Sequence, residues 1–242
     1  MRYEEFIKMS VADYLKNGSI DADSFPDFEL YIDQATNFLN MGLSAYVENN
    51  KNPAITKAMI NNYSKRGIVP RPVNKKYSKE HMILFAMVFY LKGLFPFDEI
   101  ETLMKPIIDN YNSDLEDKID LENIYRFAME TQEEKRANML EAVENETERI
   151  KKNFLDVGLA DDQLLEIFTL IVSLTLKAEA DKYLASALLK EYFVKPANEK
   201  AEKIRKTRQE KEAEKAAKIE AMKDRQKEAV RLLELDLDEE SL

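Results

Sequence analysis

The chain has 242 residues and a mass of 28.2 kDa, enough to bury one sizeable core or two small ones. Its 36 Lys or Arg against 46 Asp or Glu give a net charge of -10 and a pI near 4.9. That balance excludes wrapping nucleic acid over the whole surface but leaves room for one local basic patch. With no cysteine and one histidine, disulfides, thiolate catalysis, cysteine-ligated zinc and histidine-rich metal centres are excluded.

The opening MRYEEFIKMSVADYLK lacks the apolar run of a signal peptide. The longest apolar stretch, Met82 to Leu91, has ten residues, about half of what a bilayer requires. A cytoplasmic protein with no membrane contact is expected. Composition marks three regions: 1–112, 113–193 and 194–242. The first holds all but one of the prolines and all but one of the glycines.

Within the first region, Phe28, Tyr31, Ile32, Ala35, Phe38 and Leu39 recur at helical spacing, predicting an amphipathic helix over 28–47. The segment ENNKNPA breaks it. Thr56 is an N-cap for a short helix over 56–65, with Met59, Ile60 and Tyr63 facing inward and Gly67 as the C-cap. Pro70 and Pro72 force the next segment to extend or turn. Ser78 caps a further helix with His81 at its third position. Asp98 and Glu99 suit the positive end of the helix after Pro96.

The second region reads as nearly all helix. Residues 122–158 form a polar amphipathic run, and residues 161–193 are apolar on almost every side at their centre. Such a helix belongs among neighbours or in a subunit contact. The third region begins with a mixed-charge stretch, twelve Lys or Arg and eight Asp or Glu over Lys195 to Glu228, suited to a solvated helix. It ends in the acidic, leucine-containing VRLLELDLDEESL, whose leucines suit docking on the body of the protein or on a protein partner.

The segment from Thr56 to His81 stands apart, with seven Lys or Arg and one Glu in 26 residues. A DNA reader needs a short helix, held by a preceding one, whose polar face enters the major groove, with cations around it to grip phosphates. Thr56, Lys57, Asn61, Asn62 and Ser64 are the exposed candidates on the short helix; an asparagine amide can pair bidentately with adenine. Lys65, Arg66, Arg71, Lys75, Lys76 and Lys79 line the turn and the loop beyond it. A solvated loop and a protein-binding surface are the alternatives. Tyr63 and Tyr77 suit either core-edge packing or base stacking, and His81 either a structural or a phosphate-facing role. The carboxylate pairs Asp98/Glu99 and Asp161/Asp162 sit at helix starts as caps. No enzyme site and no cofactor are expected: no glycine-rich phosphate loop is present.

The order NNYSKRGIVPRP, KKYSKEH and FYLKGLFPFDEIETLM resembles the MerR-like winged helix-turn-helix domains. Residues 25 to 110, with ELYIDQ and ITKAMINNYSKRGIVPRPVNKKYSKEHMI, also resemble the domain-of-unknown-function 1836 family of bacterial, mainly Firmicutes, proteins. The resemblance implies that Asn62 and Tyr63 end the reading helix, that Arg66 and Gly67 form the turn, and that Lys76 with Tyr77 closes the wing. The linker before Thr56 is longer than the tight turn of the MerR pattern. The expectation is an all-α or mostly α protein: a MerR-like winged helix-turn-helix head followed by a helical accessory region. It would bind double-stranded DNA as a homodimeric transcriptional regulator, with helix 163–176 as dimer seam or ligand pocket. The alternative is a protein-interaction module on the same fold.

Overall fold

The structure, a computed structural model, describes residues 2–47, 54–111, 120–159, 162–209 and 211–212. The fold is mostly α, as expected, with one two-stranded antiparallel pairing among the described residues. Two compact units divide the chain, Met1–Lys190 and Glu191–Leu242. The expected linker over 48–53, the boundary near 112, Asp161 and the acidic leucine tail lie outside the described residues.

In the first unit the order is α1 (Tyr3–Asn17), β1 (Leu30–Tyr31), α2 (Ile32–Gly42), α3 (Lys57–Arg66), β2 (Lys76–Tyr77), α4 (Lys79–Lys92), α5 (Phe97–Tyr111), α6 (Leu121–Ala137), α7 (Met139–Asp156) and α8 (Gln163–Leu189). The second unit is helical over 195–209, and every side chain there is exposed. Lys206 pairs with Glu202 at 2.9 Å, one turn apart, as the mixed-charge pattern anticipates.

The apolar run on α4 decides the layout. Met82, Ile83, Leu84, Phe85, Ala86 and Val88 are all but inaccessible, so the helix needs neighbours on every side. It finds them in α2, α5, α6 and β2. Leu39, Ile60, Tyr63, Ile68 and Ile100 complete this core from the surrounding elements. Tyr125 of α6 is buried, packs edge-on against Phe25 at 5.1 Å, and donates its hydroxyl to the Ile20 carbonyl at 2.7 Å. A second, smaller cluster joins Val143, Ile150 and Leu170 with Ile7 and Phe154, where α1, α7 and α8 meet.

Several expectations are corrected. The helix predicted from residue 28 begins at Ile32, and Phe28 and Tyr31 are exposed. Leu30 and Tyr31 extend instead, because they pair with Tyr77 and Lys76. The helical spacing of Phe28 and Tyr31 with Ala35 is incidental. The run over 122–158 is two helices that part at Asn138, which leaves α6 against α4 and α7 against α1 and α8. Helix α1 lacked any signal strong enough to place it. The apolar centre of α8, expected among neighbours or in a subunit contact, is largely exposed in the single chain, so neighbours within the chain do not cover it.

Candidate nucleic-acid interface

Helix α3 is set by local chemistry at both ends. Thr56 is extended, and its Oγ1 accepts the Met59 N–H at 3.2 Å, which caps the first turn. Gly67 stops the helix in the left-handed region at φ 75°, and the Ile68 N–H then returns to the Tyr63 carbonyl at 3.0 Å. A Cβ on Gly67 would meet no atom within 4 Å, so glycine is required there by the backbone alone. Both caps agree with the sequence reading.

What holds α3 in place was not foreseen. Asn40 of α2 reaches Ile55, which immediately precedes the cap, and bonds both its N–H and its carbonyl. Lys92 of α4 donates to the neighbouring Ala54 carbonyl at 2.9 Å while its ammonium lies 4.3 Å from the Phe89 ring centre. Burial pulls the Lys92 pKa down. An asparagine in mid-helix gives no sequence cue to a partner fifteen residues away.

With Ile60, Tyr63 and Ser64 buried, α3 turns Lys57, Asn61, Asn62 and Lys65 to solvent. Ser64, expected on the reading face, is therefore on the wrong side; its Oγ points back to the Pro70 carbonyl at 3.5 Å. Tyr77 is also corrected from the contact set, being 3% exposed with its ring 5.6 Å from those of Phe85 and His81. Tyr63 lies between Phe85 and Phe97, and burial pushes its hydroxyl pKa up to about 12. Packing rather than stacking describes both tyrosines.

Beyond α3, Ile68 and Val69 are buried and the chain re-emerges at Arg71. A tight turn over Val73–Lys76 follows, closed by the Lys76 N–H on the Val73 carbonyl at 2.9 Å. Asn74 and Lys75 both have positive φ, 51° and 64°, the signature of a type I′ hairpin turn. The hairpin that the prolines announced thus carries Lys75 at its tip, and Lys76 beside β1.

The basic residues divide into two sets. Lys57 pairs with Asp33, Arg66 with Asp98 at 3.1 Å, and Lys76 with Glu29 at 3.7 Å. Lys79 bridges Glu122 at 2.7 Å and Asp27 at 2.9 Å, and those bonds, Glu122 first, raise its pKa. Lys65, Arg71 and Lys75 have no ion-pair partner among the described residues. Charge counting along the sequence missed Asp27, Glu29 and Asp33, which approach the patch from outside its segment.

His81 is buried at the N-terminus of α4, where its Nδ1 accepts the Ser78 N–H at 3.1 Å. Its role is structural. Elsewhere, a cleft beside Tyr3, Lys151 and Glu166 has its charges matched: Lys151 donates to Glu4 at 2.9 Å, holding that carboxyl down to about 2, and Tyr3 donates to Glu166 at 2.7 Å. Among the described residues no three potential metal ligands gather, and no helix is long and apolar enough to cross a membrane.

The first unit thus contains a helical domain in which α3 turns a polar face to solvent and a short hairpin follows it in the chain. Residues 20–127 match the model of a family described as domain of unknown function (DUF1836), a span that includes the whole of that face. No curated protein matches the chain, and no solved structure does.

Proposed function

We propose that the head binds double-stranded DNA in the manner of a MerR-like winged helix-turn-helix domain and that the protein regulates transcription. The observation that carries this reading is the outward face of α3: Lys57, Asn61, Asn62 and Lys65 share one exposed side of a helix capped at both ends. Asparagines there suit base edges, and lysines suit phosphates. The hairpin supports it by offering Arg71 and Lys75, which pair with no acid among the described residues. The acidic balance of the rest of the chain would confine DNA to this face.

Among the described residues, three cations of the segment have no ion-pair partner, and they set the scale. A duplex held mainly by Lys65, Arg71 and Lys75 would bind weakly, with a log–log salt slope of about -3. Fluorescence anisotropy with mixed-sequence duplexes at low salt is the test. Replacing Lys65, Arg71 and Lys75 together by Glu should abolish binding while leaving the thermal transition in place. Absence of binding by the native chain at low salt, or binding unchanged in the triple variant, would sink the proposal.

A second reading, a protein-interaction module, draws on the apolar residues around the hairpin: Phe28, Tyr31 and Val73 are 67%, 54% and 63% exposed. Base-independent retention of a protein partner by the triple variant would favour it.

A further inference from the structure

Helix α8 is anchored by one side only. Glu166 and Leu170 turn inward, Glu166 accepting the Tyr3 hydroxyl, and Leu170 joins Val143 and Ile150. On the other side Leu164, Phe168, Ile171 and Leu176 are 79%, 64%, 57% and 67% exposed, with Leu165 and Val172 beside them. Positions 165, 168, 172 and 175 follow the alternating three and four spacing of a helix-packing seam. Between Gln163 and Leu176 the only charged residue is Glu166, which faces the body.

We infer that a second copy of this chain covers the stripe, its α8 running antiparallel to the first. Area is the first argument. Six large apolar residues that are 39% to 79% exposed on one stripe make a patch of the several-hundred-Å² class that marks interaction sites, on the scale of the ~800 Å² per partner of a standard interface.

Charge is the second. Two copies that each carry -10 repel, so they associate best where charge is absent, and this stripe offers only neutral side chains. A strongly charged partner would find nothing complementary on it.

Volume is the third. A two-fold axis beside position 170 sets Leu165 against Thr175 and Phe168 against Val172, large against small in each layer. Parallel pairing would stack Phe168 on Phe168 and oppose no helix dipoles, whereas antiparallel dipoles attract. Helix α8 lies outside the residues that match the family, and the inference does not rest on DNA binding.

Sedimentation equilibrium of the full chain tests it. The expected species is a dimer of twice 28.2 kDa, and the double variant Phe168→Glu/Val172→Glu should weaken it at least tenfold with unchanged helicity. A monomeric native chain, or a dimer indifferent to the double variant, overturns the inference. The chain has no cysteine, so single cysteines give a second readout that does not depend on burying a charge. A mixture of Leu165→Cys and Thr175→Cys chains should form a disulfide between unlike chains, and each variant alone should not. Self-linking of Leu165→Cys, or no link in the mixture, overturns the antiparallel pairing.

Discussion

Asn40 and Ile55 exchange two hydrogen bonds across fifteen positions: Asn40 Nδ2 donates to the Ile55 carbonyl at 2.8 Å, and the Ile55 N–H donates to Asn40 Oδ1 at 3.1 Å. The same Nδ2 donates to the Thr36 carbonyl at 2.8 Å. One side chain therefore fixes the entry to α3 on the flank of α2. Asn40→Ala leaves both groups of a fully buried residue unpaired and should cost about 2 kcal/mol. Urea denaturation measures it, and stability equal to the native chain's would show that the clamp is idle. Duplex affinity should fall in parallel, since α3 loses its seat.

Asp33 sits in the first turn of α2 and holds the ammonium of Lys57 at the start of α3. If α3 faces a phosphate backbone, this acid works against it. Asp33→Asn should tighten duplex binding about threefold at low salt and steepen the salt slope by about 1, the signature of one more phosphate contact. Anisotropy titrations at several salt concentrations decide the matter. An unchanged slope would place Lys57 away from the nucleic acid.

Lys79 was expected among the phosphate contacts, yet its ammonium ties the Asp27 loop to Glu122 of α6. Lys79→Ala should lower stability by about 1 kcal/mol or less, because Asp27 is open to solvent and neither Lys79 nor Glu122 is fully buried, and should leave duplex affinity unaltered. Its folded pKa is raised, so this contribution is fully present below the unfolded value and is lost only as the pH rises through the folded one. A Lys79→Ala chain of native stability and impaired binding would reverse the assignment.

His81 is the only histidine, so its titration is not shared with another imidazole. Burial sets its pKa below the ordinary 6.5, against the opposing pull of nearby carbonyls and Glu80. With the folded value depressed, the unfolded chain binds the proton first. Stability is complete above about pH 6.5 and declines as the pH falls toward the folded value. His81→Gln should flatten the loss in thermal midpoint between about pH 7 and about pH 5. An equally steep loss in the variant would assign it to the carboxylates.

The parts legible in the sequence are those governed by neighbours in the chain. Thr56 and Gly67 mark the ends of α3, and Pro70 and Pro72 end helical structure ahead of the Val73–Lys76 turn, because capping and φ restriction act over a few residues. The burial of Met82 to Val88 was legible for the same reason, as an unbroken apolar run. The errors lie where a distant partner decides. Leu30 and Tyr31 leave their helical pattern because Lys76 and Tyr77 pair with them, and Ser64 is buried with its Oγ toward the Pro70 carbonyl, beyond the end of its own helix. The neutralised lysines belong to this group too, since Asp27, Glu29 and Asp33 reach them through the fold.

Helix α6 passes without interruption through residue 127, where the family match ends. Tyr125 on one side of that limit holds the Ile20 carbonyl; Arg136 on the other donates to the Leu15 carbonyl and the Ser19 hydroxyl, each at 2.7 Å, at the end of α1. A single rod thus fastens the shared sequence to flanks that precede and follow it. The limits of the matched segment and the limits of the packed unit therefore differ in this molecule. A fragment trimmed to residues 20–127 would sever α6 at mid-length and release α1, losing stability that the matched segment borrows from the residues on either side of it.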